Sequence, residues 1–270
     1  MSAVTAGAVS AREGGSEPVR YRRAALNVAE LYFDDEMPER LPAVDLVRFL
    51  AIADPTSDRC WDRRHTLTVD LTPPEDRLFD QLSGNTRYKV RRAMLRDQVT
   101  VTMLDSPTVE QVERFADYYD EFAGQKGLRP VFRPRLQAMR RSGMLLLSYA
   151  TREAARPLVW HAYAAGSGHA LLLYSASLFR DRPASGDRNM IGRANRYLHW
   201  HDMIWCKAAG HHAYDLGGID VTDTDPVKRR INEFKRGFGG EVRPTHTCTV
   251  GVSAKGRVAT RMLRLRGVSF

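Results

Sequence analysis

The chain reads YDLGGID at residues 214–220 and INEFKRGFGG at residues 231–240. The first run is β-compatible and ends in two glycines, which predicts a short strand followed by a sharp turn. Asp225 and Pro226 then supply the N-cap and first-turn residues of a helix. The second run continues this helix to about Gly237 and ends in another glycine pair. These residues therefore predict a strand, a turn and a helix in close succession.

Hydrophobic periodicity predicts the elements before and after these two runs. From residue 99 onward it indicates a strand, two helices, three antiparallel strands, a long helix, a strand, a helix and a strand. The predicted bounds are 99–104, 107–122, 134–141, 144–150, 158–164, 169–178, 191–209, 212–216, 226–237 and 245–252. Before residue 99, the pattern predicts strands joined by loops, followed by a helical stretch at residues 73–95 that is broken at Gly84.

The two runs resemble the Fem-type aminoacyltransferases, in which a strand ending YDxGG precedes a helix carrying FKxxFGG. Residues 85–99 (NTRYKVRRAMLRDQV) are similar to the basic helix that enters the same domain, so the resemblance covers roughly residues 85–243. The order of elements is likewise that of the GNAT superfamily. The resemblance implies an α+β fold with a mixed sheet, of the GNAT-like acyltransferase type.

The predicted domain organisation has four parts. Residues 1–20 are expected to be a disordered tail, because their composition cannot offset the entropy of ordering. Residues 21–98 are expected to form an N-terminal extension that packs on the core as a partial second GNAT unit. Residues 99–253 are expected to form the GNAT-like core, and residues 254–270 a basic tail.

The resemblance also implies which residues carry the chemistry. Lys235 matches the family lysine that stabilises the oxyanion or the leaving ribose oxygen, and the backbone of Phe234 helps to hold the amine. An amine attacking an ester needs a cation near the developing charge and requires no enzyme nucleophile. The structural alternatives are a solvated lysine and a Phe234–Phe238 core stripe.

Seven further residues are candidates for the acceptor pocket. The predicted set is Trp160, Tyr174, Ser175, Asp215, Gly217, Gly218 and Asp220. The glycines would let substrate approach the backbone, the carboxylates could bind the amine, and the other three lie on strands expected to line the central cleft. The structural alternatives are a plain turn, capping or solvated carboxylates, and side chains of the core or sheet face.

A candidate donor phosphate site precedes the long helix. GNAT enzymes place a loop of the pattern Arg or Gln, two residues, Gly, one residue, Gly or Ala at this point, where backbone amides and the helix dipole bind a pyrophosphate. Here Gly192, Arg193 and Ala194 fit the spacing, but Asn189 occupies the first position and Arg188 stands one residue early. The pattern keeps acyl-CoA as an alternative donor.

Basic residues point to a polyanionic partner. The net charge is +9 and the isoelectric point is near 9.7, and a compact basic protein attracts RNA and other polyanions. Two clusters are candidates for tRNA binding, Arg87, Lys89, Arg91 and Arg92 in the first and Lys228, Arg229 and Arg230 in the second. Solvated helix faces are the alternative reading of both clusters.

Other classes of protein are disfavoured by the sequence. The three cysteines, Cys60, Cys206 and Cys248, are far apart and outside any CxxC pair, which argues against disulfides and structural zinc. Because neither a membrane span nor a signal peptide is predicted, we expect a cytoplasmic protein. GxSxG and Walker motifs are absent, and His199 and His201 are spaced wrongly for a shared metal on a helix. No metal or cofactor is therefore expected.

The sequence thus predicts an aminoacyltransferase that moves an amino acid from aminoacyl-tRNA, as co-substrate, to an amine. The acceptor would be a small natural-product, peptidyl or nucleoside intermediate, or a cell-wall precursor. An acyl-CoA-dependent N-acyltransferase is the second hypothesis, and a non-catalytic RNA-binding protein is the third.

Overall fold

Residues 214–218 lie in a strand and residues 231–236 in a helix of a protein built around a mixed sheet. The computed structural model describes residues 17–33, 43–55, 61–153, 156–178, 185–222 and 224–265. Its strands are β1 (Val19–Arg23), β2 (Leu26–Tyr32), β3 (Leu46–Ile52), β4 (Asp62–Asp70), β5 (Thr100–Leu104), β6 (Leu145–Thr151), β7 (Val159–Gly166), β8 (His169–Ser177), β9 (Ala213–Gly218) and β10 (Glu241–Gly251). Its helices are α1 (Glu75–Gln81), α2 (Gly84–Leu95), α3 (Val109–Lys126), α4 (Arg133–Arg141), α5 (Ser185–Ala208), α6 (Pro226–Arg236) and α7 (Ala254–Leu265).

The ten strands of the described residues belong to one sheet, in the order β1-β2-β3-β10-β4-β9-β8-β7-β6-β5. The pairs β2–β3 and β8–β9 are parallel, and the other neighbours are antiparallel. The α+β class with a mixed sheet and the predicted element order from β5 to β10 are therefore confirmed.

Strands β8 and β9 separate soon after they begin. Their pairing ends at Leu171 opposite Asp215, although both strands continue beyond that point. At the same level the β7–β8 register shifts, so that Leu173 becomes an extra residue between Leu172 and Tyr174. Such a bulge bends the strand that carries it. The pairing of the two central strands therefore ends before either strand reaches its carboxyl end.

Helices cover both faces of the sheet. On one face, Phe115 and Ala116 of α3 and Leu136 of α4 pack in a core that includes Trp160 of β7. On the other face, Met203 of α5 packs with Leu78, Tyr163, Tyr214 and Phe238. Because side chains alternate along a strand, neighbouring residues of β7 serve the two cores separately.

The N-terminal strands are part of the same sheet as the predicted core. β10 lies between β3 and β4 and pairs with both, and β4 also pairs with β9. A buried ion cluster adds a second link, because Glu30 of β2 contacts Arg48 of β3 and Arg135 of α4. Long-range pairings of this kind leave no local trace in the sequence.

Three predicted boundaries were wrong. The long helix begins by Ser185 and not near Ile191. Residues 186–189 are exposed and polar or glycine, so they give no apolar period that would reveal this part of the helix in the sequence. Residues 254–265 of the predicted basic tail form α7, whose Gly256 approaches the backbone of Asp45, and residues 266–270 lie outside the described part. Strand β1 begins at Val19, inside the predicted tail, while residues 1–16 and Cys60 lie outside the described part. No helix of the described residues is long and apolar enough to cross a membrane.

Candidate active site

Lys235 lies on α6 beside the carboxyl end of β9. Its Nζ donates a hydrogen bond of 2.6 Å to the carbonyl oxygen of Gly218, the last residue of that strand. Burial lowers the pKa of Lys235 from its ordinary value, and nearby Asp215 opposes that shift. The ammonium is therefore partly desolvated, fixed by one bond, and placed where β8 and β9 separate.

The position of α6 is set by contacts at both of its ends. Asp225 caps the first turn by accepting from the backbone N–H of Val227, as the sequence predicts. Asn232 donates to the carbonyl of Asp220 at 2.6 Å and accepts from its backbone N–H at 3.2 Å. At the far end, the backbone N–H of Ser83 donates to the carbonyl of Gly237. These bonds hold the helix, and Lys235 with it, against β9 and α2.

Asp215 is a nearly buried carboxylate next to this lysine. It accepts hydrogen bonds from the hydroxyl of Thr66 and from the backbone N–H of Gly217. Burial raises the pKa of Asp215, and the two hydrogen bonds and Lys235 oppose the rise. The site therefore contains a cation and a carboxylate within electrostatic range, both shifted toward neutrality by desolvation.

Gly217 forms the wall of the site between Lys235 and β8. Its φ is +76°, and an added Cβ would lie 3.2 Å from the carbonyl oxygen of Leu172 and 3.9 Å from the Nζ of Lys235. A side chain here would thus be strained and would press on both strands.

We expect Gly217→Ala to reduce the free energy of unfolding by about 1–2 kcal/mol, because alanine is disfavoured at this φ. Urea denaturation of both proteins measures the change. The control is Gly124→Ala in α3, where nothing lies within 4 Å and a gain of about 0.5–1 kcal/mol is expected. Equal stability of the Gly217→Ala and wild-type proteins would contradict the strain argument.

Phe234, the residue before Lys235, belongs to an aromatic cluster. Its ring packs edge-on against Phe238, with 5.3 Å between centroids, and lies 5.7 Å from the ring of His199. The guanidinium of Arg196 is 4.6 Å from the centroid of the same ring. Phe234 is therefore part of an aromatic core stripe and is also the neighbour of Lys235 in the chain.

A buried polar network lies behind this cluster. His199 Nδ1 is 2.8 Å from the hydroxyl of Tyr214, which is 2.8 Å from that of Tyr163. Tyr163 donates to Asp202 at 2.6 Å, and His161 lies 2.9 Å from the same carboxylate oxygen. Burial lowers the pKa of His199, so the ring that contacts Phe234 is neutral at pH 7. The network fixes α5 to β7 and β9 below the site.

Comparison with known proteins gives a match at the level of structure. No family model matches the sequence, and no curated protein matches it. The crystal structure of FemX matches with a TM-score of 0.58 and 12% identity, over 95% of this chain and 88% of that one.

The chain has a FemX-like fold. A second match is the C-terminal domain of a protein described as a lysylphosphatidylglycerol synthetase from Agrobacterium fabrum, with a TM-score of 0.50 and 13% identity. It covers 82% of this chain and 72% of that domain. At these identities the likeness concerns the fold alone, and it confirms the predicted GNAT-like architecture.

Within this FemX-like fold, the predicted acceptor residues fall into separate groups. Asp215, Gly217 and Gly218 adjoin Lys235, as described above. Trp160 and Tyr174 instead pack with Phe115 of α3 on the other core, and the hydroxyl of Tyr174 is 3.5 Å from Arg135. The structure therefore does not bring these two aromatic residues together with Phe234.

The remaining two acceptor candidates have other surroundings. Ser175 pairs with His161 across β7 and β8 and is partly exposed. Asp220 accepts from the N–H and hydroxyl of Thr222 and forms a 3.0 Å ion pair with Lys228. These contacts lower the pKa of Asp220. Asp220 thus organises the loop that leads into α6.

The predicted tRNA-binding residues lie on two helices next to the site. Arg87 donates to two carbonyls at the end of α1, Arg91 lies 4.9 Å from the ring centroid of Phe79, and Arg92 donates to Tyr88. Lys89 remains partly exposed on α2, and Arg229 and Arg230 are exposed on α6 with Lys228. Arg87 thus also has a structural role, and α6 presents basic residues beside Lys235.

The predicted phosphate loop lies inside α5. Because the helix begins by Ser185, the residues from Gly192 to Ala194 lie within its body and not at its first free amides. Ala194 is fully buried, and Arg193 is paired with Asp97 at 3.0 Å. Arg188 and Asn189 are exposed in the preceding turns. The expected phosphate loop, with free backbone amides at a helix start, is therefore not formed by residues 192–194. The prediction was wrong because the helix begins earlier than the sequence indicated.

Sequence reasoning missed Thr66, Arg196 and the buried network. Asn195, His199 and Asp202 recur at helical spacing on the apolar face of α5, and this pattern was the available signal. Their partners on β6, β7 and β9 come from distant parts of the sequence. No comparable local signal marks Arg196 or Thr66.

Proposed function

We propose that this chain transfers an aminoacyl group from aminoacyl-tRNA to an amine and so forms an amide bond. The observation that carries the proposal is the ammonium of Lys235, held by the Gly218 carbonyl where β8 and β9 separate. The motif resemblance and the FemX-like fold support the choice of reaction and of donor.

In the proposed reaction the amine nitrogen attacks the ester carbonyl carbon of the aminoacyl group. The new C–N bond pushes electrons onto the carbonyl oxygen, and the ammonium of Lys235 stabilises that oxyanion. When the intermediate collapses, the ester C–O bond breaks and the 3′-terminal ribose of tRNA leaves. The proton lost from the amine is transferred to the ribose oxygen, so that the products are an amide and a free hydroxyl.

Lys235 is suited to this task because of its hydrogen-bond inventory and its burial. An ammonium has three N–H donors, and the structure shows one of them on Gly218. The other donors can therefore turn toward a substrate oxygen. Partial desolvation strengthens the attraction between this cation and a developing negative charge.

Asp215 is the proposed group for orienting the acceptor amine. Its carboxylate lies at the point where the strands part, held by Thr66 and Gly217. A carboxylate beside the lysine attracts a protonated amine to this point. In the proposal the same carboxylate, whose pKa burial raises, accepts the proton that the ammonium must lose before it attacks and releases it to water afterwards. The acceptor class that fits is a small amine or a peptidyl, nucleoside or cell-wall intermediate with a free amino group.

A direct assay tests the reaction. The protein is incubated with ³H-aminoacyl-tRNA mixtures, or with ¹⁴C-acetyl-CoA, and a panel of amines in matched reactions. We expect label to appear in an amide only with aminoacyl-tRNA. Turnover with acetyl-CoA alone would favour an acyl-CoA N-acyltransferase, and RNA binding without turnover of either donor would favour a non-catalytic role.

The protonation of Lys235 gives a separate prediction. Since burial lowers its pKa from 10.5, we expect this lysine to lose its proton at a lower pH than a solvated lysine. A pH titration of ¹³Cε-labelled lysines by NMR measures the transition, and Lys235→Met assigns the signal by removing it. In the proposed mechanism the protonated form is active, so activity falls as the pH rises through this pKa. A signal titrating at 10.5 or above would contradict the partial burial.

A further inference from the structure

A second cationic feature adjoins the candidate site at the contact between α2 and α5. Arg196 of α5 lies over the ring of Phe234, the residue before Lys235. One of its terminal nitrogens donates to the carbonyl of Gly192 at 3.1 Å. Its Nε is buried and has no hydrogen-bond partner among the described residues. A buried guanidinium N–H left unpaired is costly and calls for an acceptor.

Lys89 of α2 faces the same region. Burial lowers its pKa, with further contributions from the positive charges of Arg196 and Arg193. Arg193 is neutralised by its ion pair with Asp97, whereas the ion pairs found in the described residues include neither Lys89 nor Arg196. Helices α2 and α5, which carry Lys89 and Arg196, pack against each other. Neither cation has a carboxylate partner among the described residues, so an anion bound at this contact would offset both charges.

We infer that Lys89 and Arg196 form a phosphate-binding site for the single-stranded 3′ end of the donor RNA. This inference rests on the proposed function and names the phosphodiester nearest the reacting ester as the ligand. Arg196 connects the site to the reaction centre through Phe234, and both Arg196 and Lys235 act on the buried ring of His199. In this proposal Lys89 of α2 and Arg196 of α5 bind the phosphate, and Lys235 of α6 stabilises the oxyanion.

An exposed aromatic residue favours RNA over an isolated phosphate as the ligand. Tyr88, adjacent to Lys89, is 55% exposed, and its hydroxyl accepts from Arg92 at 3.0 Å. Exposed aromatic rings among cations are the usual surface for single-stranded nucleic acid, because bases stack on the ring while cations hold the backbone.

The test is the binding of the RNA tetranucleotide ACCA, in two forms, by isothermal titration calorimetry. One form has ordinary phosphodiesters, and the other has a neutral methylphosphonate at its last linkage. We expect the wild-type protein to bind the ordinary form about tenfold tighter or more. In Arg196→Gln and in Lys89→Gln that preference should largely disappear, because the charge that reads the linkage is removed.

Arg114→Gln is the matched control. Arg114 is exposed on α3, which packs on the other face of the sheet, so this variant loses the same charge and should keep the preference. Thermal unfolding of each variant checks its fold, and Lys89→Gln tests the site without altering the half-buried Arg196. A tenfold preference retained by both Arg196→Gln and Lys89→Gln would overturn the inference, as would a wild-type protein with no preference.

Coenzyme A is the second probe, because its pyrophosphate offers the same chemistry. If coenzyme A bound more tightly than ACCA and lost affinity in Arg196→Gln, the site would belong to an acyl-CoA and the RNA assignment would be wrong. The binding assay needs no catalysis, so it separates the two proposals. If the preference for the ordinary linkage depends on Arg196 but no aminoacyl transfer is detected, the phosphate site is supported and the proposed reaction is rejected. If transfer is detected without that preference, the reaction is supported and the phosphate site is rejected.

Discussion

Lys235→Ala is expected to lower the turnover of aminoacyl-tRNA by about 10²–10³-fold, which corresponds to about 2.7–4 kcal/mol in the activation barrier. The reason is that the variant removes the cation held at the Gly218 carbonyl while leaving the strands and the aromatic cluster in place. Single-turnover rates at saturating donor measure the chemical step directly. The loss should therefore appear in the rate constant more than in the affinity for tRNA.

Two comparisons make this result specific. Lys126→Ala removes an exposed lysine from the end of α3, on the other face of the sheet, and should retain the wild-type rate. Lys235→Arg keeps the charge but changes the shape of the donor, and should recover only part of the rate. If Lys235→Ala transferred the aminoacyl group at the wild-type rate, the lysine would have no role in the reaction.

Glu30→Ala is expected to reduce the free energy of unfolding by about 3–5 kcal/mol. The carboxylate is fully buried, forms ion pairs with Arg48 and Arg135, and accepts from the hydroxyls of Tyr21 and Tyr32 at 2.8 Å each. Its removal leaves two cations without their counter-charge inside the protein. Urea denaturation followed by circular dichroism measures the change.

The control for this prediction is Glu113→Ala. Glu113 also pairs with an arginine, Arg133, at 2.7 Å, but both side chains are partly exposed, at 41% and 35%. Exposed pairs of this kind contribute about 0–1 kcal/mol. Similar losses for Glu30→Ala and Glu113→Ala would show that burial of the Glu30 cluster does not govern its contribution.

Glu30 also predicts a pH dependence of stability. Burial alone would raise its pKa, but Arg135 and Arg48 outweigh burial and lower it. A carboxylate with a lowered pKa in the folded state stabilises the fold above its unfolded pKa, and that contribution is lost as the pH falls through the folded value. The wild-type protein should therefore lose stability below about pH 4.3 more steeply than Glu30→Gln. Parallel slopes for the two proteins would exclude Glu30 as the source.

Local sequence signals succeeded where an element is defined by its own residues. Asp225 and Pro226 start α6 as predicted, and the helical stretch broken at Gly84 is two helices, α1 and α2. The same kind of signal failed at the start of α5, because residues 186–189 are exposed and carry no apolar side chain whose spacing could indicate a helix. Residues 254–265 were predicted to be a basic tail from their charge, but they form α7, which packs against β10. The charge of a segment does not show whether one of its faces is packed.

The residues of the candidate site also divide into those with a local sequence signal and those without one. Motif residues identified Lys235, Phe234 and the Gly217–Gly218 turn, and the structure places them together at the end of β9. Arg196, Thr66 and the His161–Asp202 network had no motif, because each acts through partners on other strands and helices. Trp160 and Tyr174 were assigned to the cleft from strand order, yet the alternation of side chains directs them into the core beside α3.

The amino-acid sequence by itself determined the fold class and the order of elements from β5 to β10, because caps, turns and periodicity act between residues close in the chain. It also contains the motif from which the role of Lys235 is proposed. Only the tertiary structure decided that β10 inserts between β3 and β4, that the β8–β9 pairing ends at Leu171 and Asp215, and that Arg196 lies over the ring of Phe234. These features depend on contacts between segments far apart in sequence, where burial and charge are set by the whole fold.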